Sequence, residues 1–373
     1  MIDNKCVNYG KDEFEIVRLV LECEDLSGKS KFIQKYEENL SRYFKSTFAI
    51  AVNNATLGIK IALQACNVKR GDDVLITPVG PVMSGLPILD LGANAIFVDT
   101  EINTFKPSLQ DIKNKITPKT KALIFINMWG YPFDISDILE FCHSKNVLVV
   151  EDASHSHGAK FNNKCLGTFG DIGVFSTHER KMICTGEGGF LITNDSNIYS
   201  TLHQLRSFGE IPGIQKYEYG KNYGMNYRFN AIASALGTVQ LTKLDAKIKV
   251  RNQNANYILE VIKSQSIYKE FYYDKSLGLI NGYALTLICD KDKKFNTKVQ
   301  EYLKQNEIIS DPLRYGYIPM YQMPLFSRFN HNCPNAEKII DTIVTLPLRE
   351  TLTKKELNFI TKTFLDAIIY ASN

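Results

Sequence analysis

The sequence predicts an α/β protein: a mostly parallel seven-stranded sheet flanked by helices, followed by a smaller C-terminal α+β domain. Three observations carry that prediction. Between about residues 47 and 200, short β-branched apolar runs alternate with segments of helical periodicity. The strand runs are apolar throughout instead of alternating, as strands covered on both faces must be. Finally, 373 residues with 44% hydrophobic content are enough for one large core and one small one.

Residues 11–46 read as two amphipathic helices, "DEFEIVRLVLECEDL" and "SKFIQKYEENLSRYF", with apolar residues at helical spacing. Seven strand candidates follow: "FAIAV", "DVLITP", "NAIFVD", "KALIFIN", "VLVVED", "GVFST" and "GFLIT". Helical segments such as "TLGIKIALQAC", "SLQDIKNKI" and "ISDILEFCHSK" lie between them. A long helical stretch over roughly 230–265 leads out of this unit. Beyond it come a strand at "GYALTLIC" and helices at "NTKVQEYLKQN", "NAEKIIDTI" and "KKELNFITKTFLDAIIY". The expected division is 1–245 for the large domain and 246–373 for the small one. A long aromatic loop at 311–335 carries Pro312, Pro319, Pro324 and Pro334, and such loops often carry function.

Composition narrows the class. Lys and Arg number 44 against 40 Asp and Glu, without the concentrated basic stripe of a nucleic-acid binder. The basic run "KIKVRNQ" at 247–253 reads as one solvated helix face. Eight cysteines lack paired metal-site spacing, and several sit in apolar runs, which suits buried reduced thiols in a cytoplasmic protein. No apolar run approaches the ~18 residues of a membrane span, and the polar first residues lack the apolar core of a signal peptide.

Three pieces near strand ends suggest a site. "VLVVEDASHSHGA" places Asp152 at the end of an apolar strand, where an isolated carboxylate is costly unless a cation meets it. "AIAVNNATLGIKIAL" runs strand, turn, helix; the exposed N–H groups at such a helix start, with the Thr56 hydroxyl, make an anion site. Ser176 and Lys181 follow another strand, and Gly186, Gly188 and Gly189 permit a tight turn beside the lysine. An acid, an anion cradle and a lysine beyond an α/β sheet suit pyridoxal 5'-phosphate: the lysine forms a Schiff base and the acid pairs with the ring nitrogen. His155 and His157 form an H-x-H pair, but no third metal ligand stands at suitable spacing. Trp129 reads as packing near the site.

Taken together, these segments resemble the DegT/DnrJ/EryC1/StrS family of sugar aminotransferases, which share fold type I. "FSTHERKMICTGEGGFLITND" is similar to that family's S-F-H-x-x-K-x-x-x-T-G-E-G-G block, with Lys181 on the Schiff-base position. "VVEDASHSHGA" is similar to E-D-x-A-Q-A-H-G-A, with Asp152 on the pyridine-nitrogen acid. "GDDVLITP", "GANAIFVDT" and "GMNYRFNAIASALGTVQL" match in order and spacing.

The resemblance implies further roles. Ser176, Ala55 and Thr56 contact the cofactor phosphate, and His155 replaces the usual glutamine beside the 3'-oxygen. Asn226 reaches the phosphate of a neighbouring subunit, so a homodimer with shared sites is implied. Two segments depart from the family: "NATLGI" lacks the turn glycine, and "TPVGPVMSG" puts Val82 where an aromatic ring normally stacks on the cofactor. The implied activity is transfer of the amino group of L-glutamate to a keto-sugar, preferably nucleotide-linked, in surface polysaccharide or glycan synthesis. Lys181 separates the chain from a subgroup that has histidine there and dehydrates keto-deoxysugars. A smaller acceptor (an oxo-octulosonate, an inosose or a three-carbon keto phosphate) is the alternative, and a non-catalytic regulatory pyridoxal-phosphate domain is the second. His178, Arg228 and Arg314 are candidates to meet a substrate anion.

Overall fold

The computed structural model describes residues 1–5, 8–212, 219–220, 222–329 and 332–373. Helices α1 (Lys11–Glu22) and α2 (Lys31–Phe44) precede β1 (Phe48–Val52), which turns into α3 (Ala55–Ala65). Then come β2 (Asp73–Ile76), α4 (Leu86–Asp90), β3 (Asn94–Phe97), α5 (Leu109–Lys115), β4 (Thr120–Ile126), α6 (Ser136–Ser144) and β5 (Leu148–Asp152). A short hairpin, β6 (Lys160–Phe161) and β7 (Lys164–Cys165), leads to β8 (Ile172–Ser176) and β9 (Gly189–Thr193).

Seven of these strands form one sheet in the order β1-β9-β8-β5-β4-β2-β3. The β5–β8, β4–β5, β2–β4 and β2–β3 pairs are parallel; β9 runs antiparallel to both β8 and β1. Every residue of β2 and β9 is buried, so the apolar runs are explained by helices on both faces. The expected mostly parallel, seven-stranded sheet is therefore present. Its parallel strands end together around Ile76, Ile126, Asp152 and Ser176, and ligands of open α/β sheets bind at such carboxyl ends.

After α7 (Ser196–Arg206), the long helical stretch is two helices, α8 (Ala231–Thr242) and α9 (Leu244–Ile262), meeting at Lys243. The remaining elements are β10 (Tyr268–Glu270), β11 (Gly278–Leu279), β12 (Leu285–Cys289), α10 (Lys293–Gln305), α11 (Asp311–Tyr315), α12 (Pro334–Thr342), β13 (Ile343–Leu346) and α13 (Lys354–Ser372). Strands β10, β12 and β13 make a second, antiparallel sheet. It has its own core of Leu285, Leu287, Leu303, Ile360 and Phe364.

The solvated reading of residues 247–253 is corrected. Lys247 and Arg251 are buried, and Arg251 pairs with Glu350 at 2.7 Å. Their four-residue spacing puts both on the face of α9 that also buries Leu244 and Ile248. That face is closed by the Glu350 carboxylate, which compensates the buried cations. Lys249 between them is exposed. Cys66, Cys142, Cys165, Cys184, Cys289 and Cys333 are buried free thiols and Cys23 is exposed; Cys6 lies outside the described residues.

Candidate active site

Lys181 stands in the connection 177–188 between β8 and β9, and its own hydrogen bonds fix that connection. Thr177 N–H donates to the Gly188 carbonyl (2.9 Å) and Thr185 N–H to the Thr177 carbonyl (2.8 Å). The Thr177 and Thr185 hydroxyls meet at 2.6 Å. Gly188 closes the turn at φ +150°, and a Cβ there would lie 2.4 Å from Thr177 Oγ1, so only glycine fits. From α9, Lys247 Nζ donates to the Met182 carbonyl at 2.9 Å, tying the connection to the buried face just described. The bend is thus braced on both sides.

The Lys181 ammonium lies over the Tyr283 ring, 5.3 Å from its centroid. No ion pair holds it among the described residues. Burial pushes its amine down from 10.5 to about 8, against the charges of Asp152 and Asp311, which favour protonation. The neutral, nucleophilic form is therefore well populated just above neutral pH. The rate at which cofactor-free protein combines with added pyridoxal phosphate should rise through pH 8 and level off above it. Stopped-flow absorbance checks this; a rise continuing to pH 10 would show an unperturbed lysine.

Asp152 ends β5. Its Oδ2 accepts from the Ser84 hydroxyl at 2.5 Å and its Oδ1 from the Ser154 N–H at 3.1 Å. The preceding Glu151 points to the opposite side of the strand. There it accepts from the Gly167, Phe169 and Gly170 N–H groups and from Asn127 Nδ2, at 2.7–2.9 Å. Glu151 is a satisfied structural acid, and Asp152 is the one that faces the cavity.

That cavity, of about 430 Å³, is lined by Asn54, Ala55, Thr56, Ser84, Asp152, His155, Ser176, His178, Arg180 and Lys181, with Val82, Met83, Tyr315 and Tyr317 among its remaining walls. Asn54 caps α3, its Oδ1 accepting from the Leu57 N–H at 2.9 Å. The N–H groups of Ala55 and Thr56 head the helix, beyond reach of any intrahelical carbonyl. With the Thr56 and Ser176 hydroxyls they are lining groups of this cavity able to donate to an anion.

His155 Nδ1 faces the Trp129 N–H at 3.5 Å, and its ring stacks on Tyr283 at 4.3 Å and 17°. Burial, with the charges of Lys181 and His157, lowers the His155 pKa well below its usual value. The ring is neutral, and with Nδ1 accepting, Nε2 carries the proton. His157 packs against the stacked rings of Phe175 and Phe190.

Of the residues picked out from the sequence, Lys181, Asp152, His155, Ala55, Thr56, Ser176 and His178 line this one cavity. His178 Nε2 also lies 3.7 Å from Glu187. Three candidates are elsewhere. Arg228 Nε donates to the exposed Asn226 (3.1 Å), with its guanidinium over Phe208. Arg314 is bound to Asp3 at 2.7 Å. Arg228 nonetheless lies near the start of α3 in the fold, since its backbone bridges to Val52 at the end of β1.

Sequence reasoning missed Ser84, Arg180 and Asp311. Asp311 is buried, with its Oδ2 3.2 Å from Trp129 Nε1. Burial raises its pKa, opposed by the Trp129 hydrogen bond and the charges of Arg314 and Lys181. Trp129, read as packing, does pack against Phe105 and Tyr317 and also anchors this acid. The Pro-rich aromatic character of 311–335 was the available signal for Asp311; Ser84 lies in the "TPVGPVMSG" segment and Arg180 directly precedes Lys181, but nothing distinguished either from its neighbours.

Residues 8–364 match the DegT/DnrJ/EryC1/StrS aminotransferase family. The chain belongs to that family. It is 30% identical over 352 residues to GDP-perosamine synthase of Escherichia coli O157:H7, covering 94% of each chain. It is 29% identical to GDP-4-keto-6-deoxy-D-mannose 3-dehydratase of Escherichia coli O55:H7, over 75% of this chain and 76% of that one. Among solved structures, the fold is that of the Helicobacter pylori aminotransferase PseC (TM-score 0.89, 23% identity, 99% of each chain). It is equally that of the Streptoalloteichus hindustanus aminotransferase TlmJ (TM-score 0.91, 21% identity, 100% of each chain).

As a family member the protein is a pyridoxal-phosphate-dependent sugar aminotransferase of glycan biosynthesis. The cavity fits that cofactor. An acid at one wall, an amine free of ion pairs and a helix start with two hydroxyls match the ring nitrogen, the aldehyde and the phosphate. Among the described residues no helix is long and apolar enough to cross a membrane.

Proposed function

We propose that the protein moves the amino group of L-glutamate to the ketone of a GDP-linked keto-deoxysugar, and that it does so as a homodimer. The observation that supports this reading most is that Lys181 and Asp152 line one cavity together with the first residues of α3. Two of the relatives are named for GDP-linked sugars, which favours a GDP-linked acceptor. One of them is a dehydratase; the lysine at 181 favours transamination over that outcome.

The bound cofactor supplies an aldehyde and an electron-withdrawing ring that stabilises negative charge on the donor α-carbon. This chain's residues do the rest. Ala55 and Thr56 N–H groups with the Thr56 and Ser176 hydroxyls grip the phosphate. Asp152, held by Ser84, is the acid that would pair with the ring nitrogen and favour its proton. His155 donates from Nε2 into the cavity. Lys181, its amine lowered to about 8 so that a large neutral fraction exists near that pH, takes the proton from the donor α-carbon and returns a proton on the far side of the reaction, as general base and then acid.

Absorbance tests the proposal. Protein loaded with pyridoxal phosphate should be yellow, glutamate should bleach it, and a GDP-linked 4-keto-6-deoxysugar should restore the colour. Restoration only by a small oxo compound would replace the nucleotide-sugar acceptor with the smaller class. Colour that glutamate leaves untouched would favour the regulatory reading.

The shared-site part of the proposal rests on Asn226, exposed and hydrogen-bonded to Arg228 near β1. Asn226→Ala should weaken pyridoxal-phosphate affinity by about tenfold, the value of one hydrogen bond to a charged group. Sedimentation should show a dimer. Unchanged affinity, or a monomer of full activity, would remove the shared site.

A further inference from the structure

Arg180, the residue immediately before Lys181, lines the cavity and has been given no role above. Its Nη1 donates to the Asp3 carboxylate at 3.0 Å, and Arg314 Nη2 donates to the same Asp3 oxygen at 2.7 Å. Three stretches distant in sequence therefore meet at one edge of the site. The segment bearing Asp3 is itself fixed. Ile2 pairs with the backbone around Ile308, its N–H donating to Glu307 (2.7 Å) and its carbonyl accepting from Ile309 (3.1 Å). Asn4 Oδ1 accepts from the Leu348 N–H at 3.1 Å.

The chemistry of this edge is unbalanced. One carboxylate is divided between two guanidinium groups, each with five N–H donors in a planar fork. Arg314 Nε is buried without a hydrogen-bond partner. Burial alone would raise the Asp3 pKa, yet the Arg180 hydrogen bond and both arginine charges hold it lowered, so Asp3 stays an anion. Glu179 is paired with Lys5 at 2.6 Å and acts on Arg180 by charge alone, without a hydrogen bond to it. What remains is a cation that Asp3 orients but only partly neutralises, beside the reactive amine.

We propose that Arg180 is a specificity-determining residue that binds an oxyanion of a substrate at the edge of the cavity, with Asp3 as its positioning residue. A guanidinium suits this because its fork can keep one donor on Asp3 and present two parallel N–H groups to a carboxylate or phosphate. The oxyanion is a carboxylate of the amino donor or a phosphate of the acceptor. This inference rests on the transamination reading above.

The test uses cofactor-loaded protein and measures the two half-reactions separately by absorbance. Wild type is the control: if glutamate does not bleach it, the transamination reading fails before Arg180 is in question. With wild type active, Arg180→Gln should keep the yellow band and raise KM by about tenfold to a hundredfold, the loss of a charge-assisted hydrogen bond. kcat should fall much less. An increase confined to glutamate identifies the donor carboxylate, and one confined to the nucleotide-linked sugar identifies the acceptor phosphate; either supports the proposal. Asp3→Asn should shift the same KM in the same direction, and Asp3→Glu should recover part of it, which a merely structural role for Asp3 does not predict. Should Arg180→Gln fail to fold, Arg180→Lys retains the charge without the fork and should still raise KM severalfold. KM values within twofold of wild type for both substrates in Arg180→Gln (or in Arg180→Lys where that stands in) would overturn the proposal.

Discussion

Lys181→Ala is expected to abolish transamination, with kcat falling on the order of 10⁴-fold, at the upper end of what a positioned proton-transfer group contributes. The reasoning starts from the bend at 177–188. It is held by Thr177, Thr185 and Gly188, none of which depends on the lysine side chain, so the variant should fold. The α3 anion site and Asp152 remain, so the cofactor should still bind, but without covalent attachment. Borohydride followed by mass spectrometry should label a peptide containing Lys181 in wild type and nothing in the variant. Retained turnover, or a label on another lysine, would dismiss the assigned role.

Asp152→Asn is the second large effect: kcat should drop on the order of 10²–10⁴-fold, with cofactor affinity weakened by about tenfold or more. The amide keeps the shape and can still accept from the Ser84 hydroxyl, so the fold should survive. What is lost is the fixed negative charge opposite the ring nitrogen, and with it the preference for the protonated ring. Asp152→Glu retains charge but displaces it, and should fall between the two. Melting temperature, half-reaction rates and a cofactor titration together separate loss of chemistry from loss of structure. Equal kcat in Asp152→Asn and wild type would mean that the ring nitrogen does not need this acid.

Much of the architecture was legible because it is written locally. Apolar β-branched runs of four to seven residues alternate with helical periodicity, and burial on both faces of β2 and β9 is the reason those runs carry no polar alternation. The site was legible where a strand end, a turn and a short motif coincide, as at Asp152, Lys181 and the start of α3. Asp152 was singled out by its place at the strand end and its match to the family block; the structure adds a physical reason in the four donors that satisfy Glu151 on the opposite face.

Local patterning failed where the partner comes from far away. The run at 247–253 has the composition of a solvated face, but Glu350 makes Arg251 a buried residue. Arg314, a candidate substrate ligand by charge, is spent on Asp3, and Arg180, which nothing in the sequence singled out, is the arginine in the cavity. Trp129 acquires a hydrogen-bonding role only because Asp311 is folded back onto it.

The amino-acid sequence alone therefore determined the strands of the sheet, the start of α3 and the candidacy of Lys181 and of Asp152, since each depends on neighbours within a turn or a strand. Tertiary structure decided which charges face the cavity and which are neutralised elsewhere. Coulombic partners and burial are properties of space, and Asp3, Arg180 and Arg314 become neighbours only when the chain has closed around them.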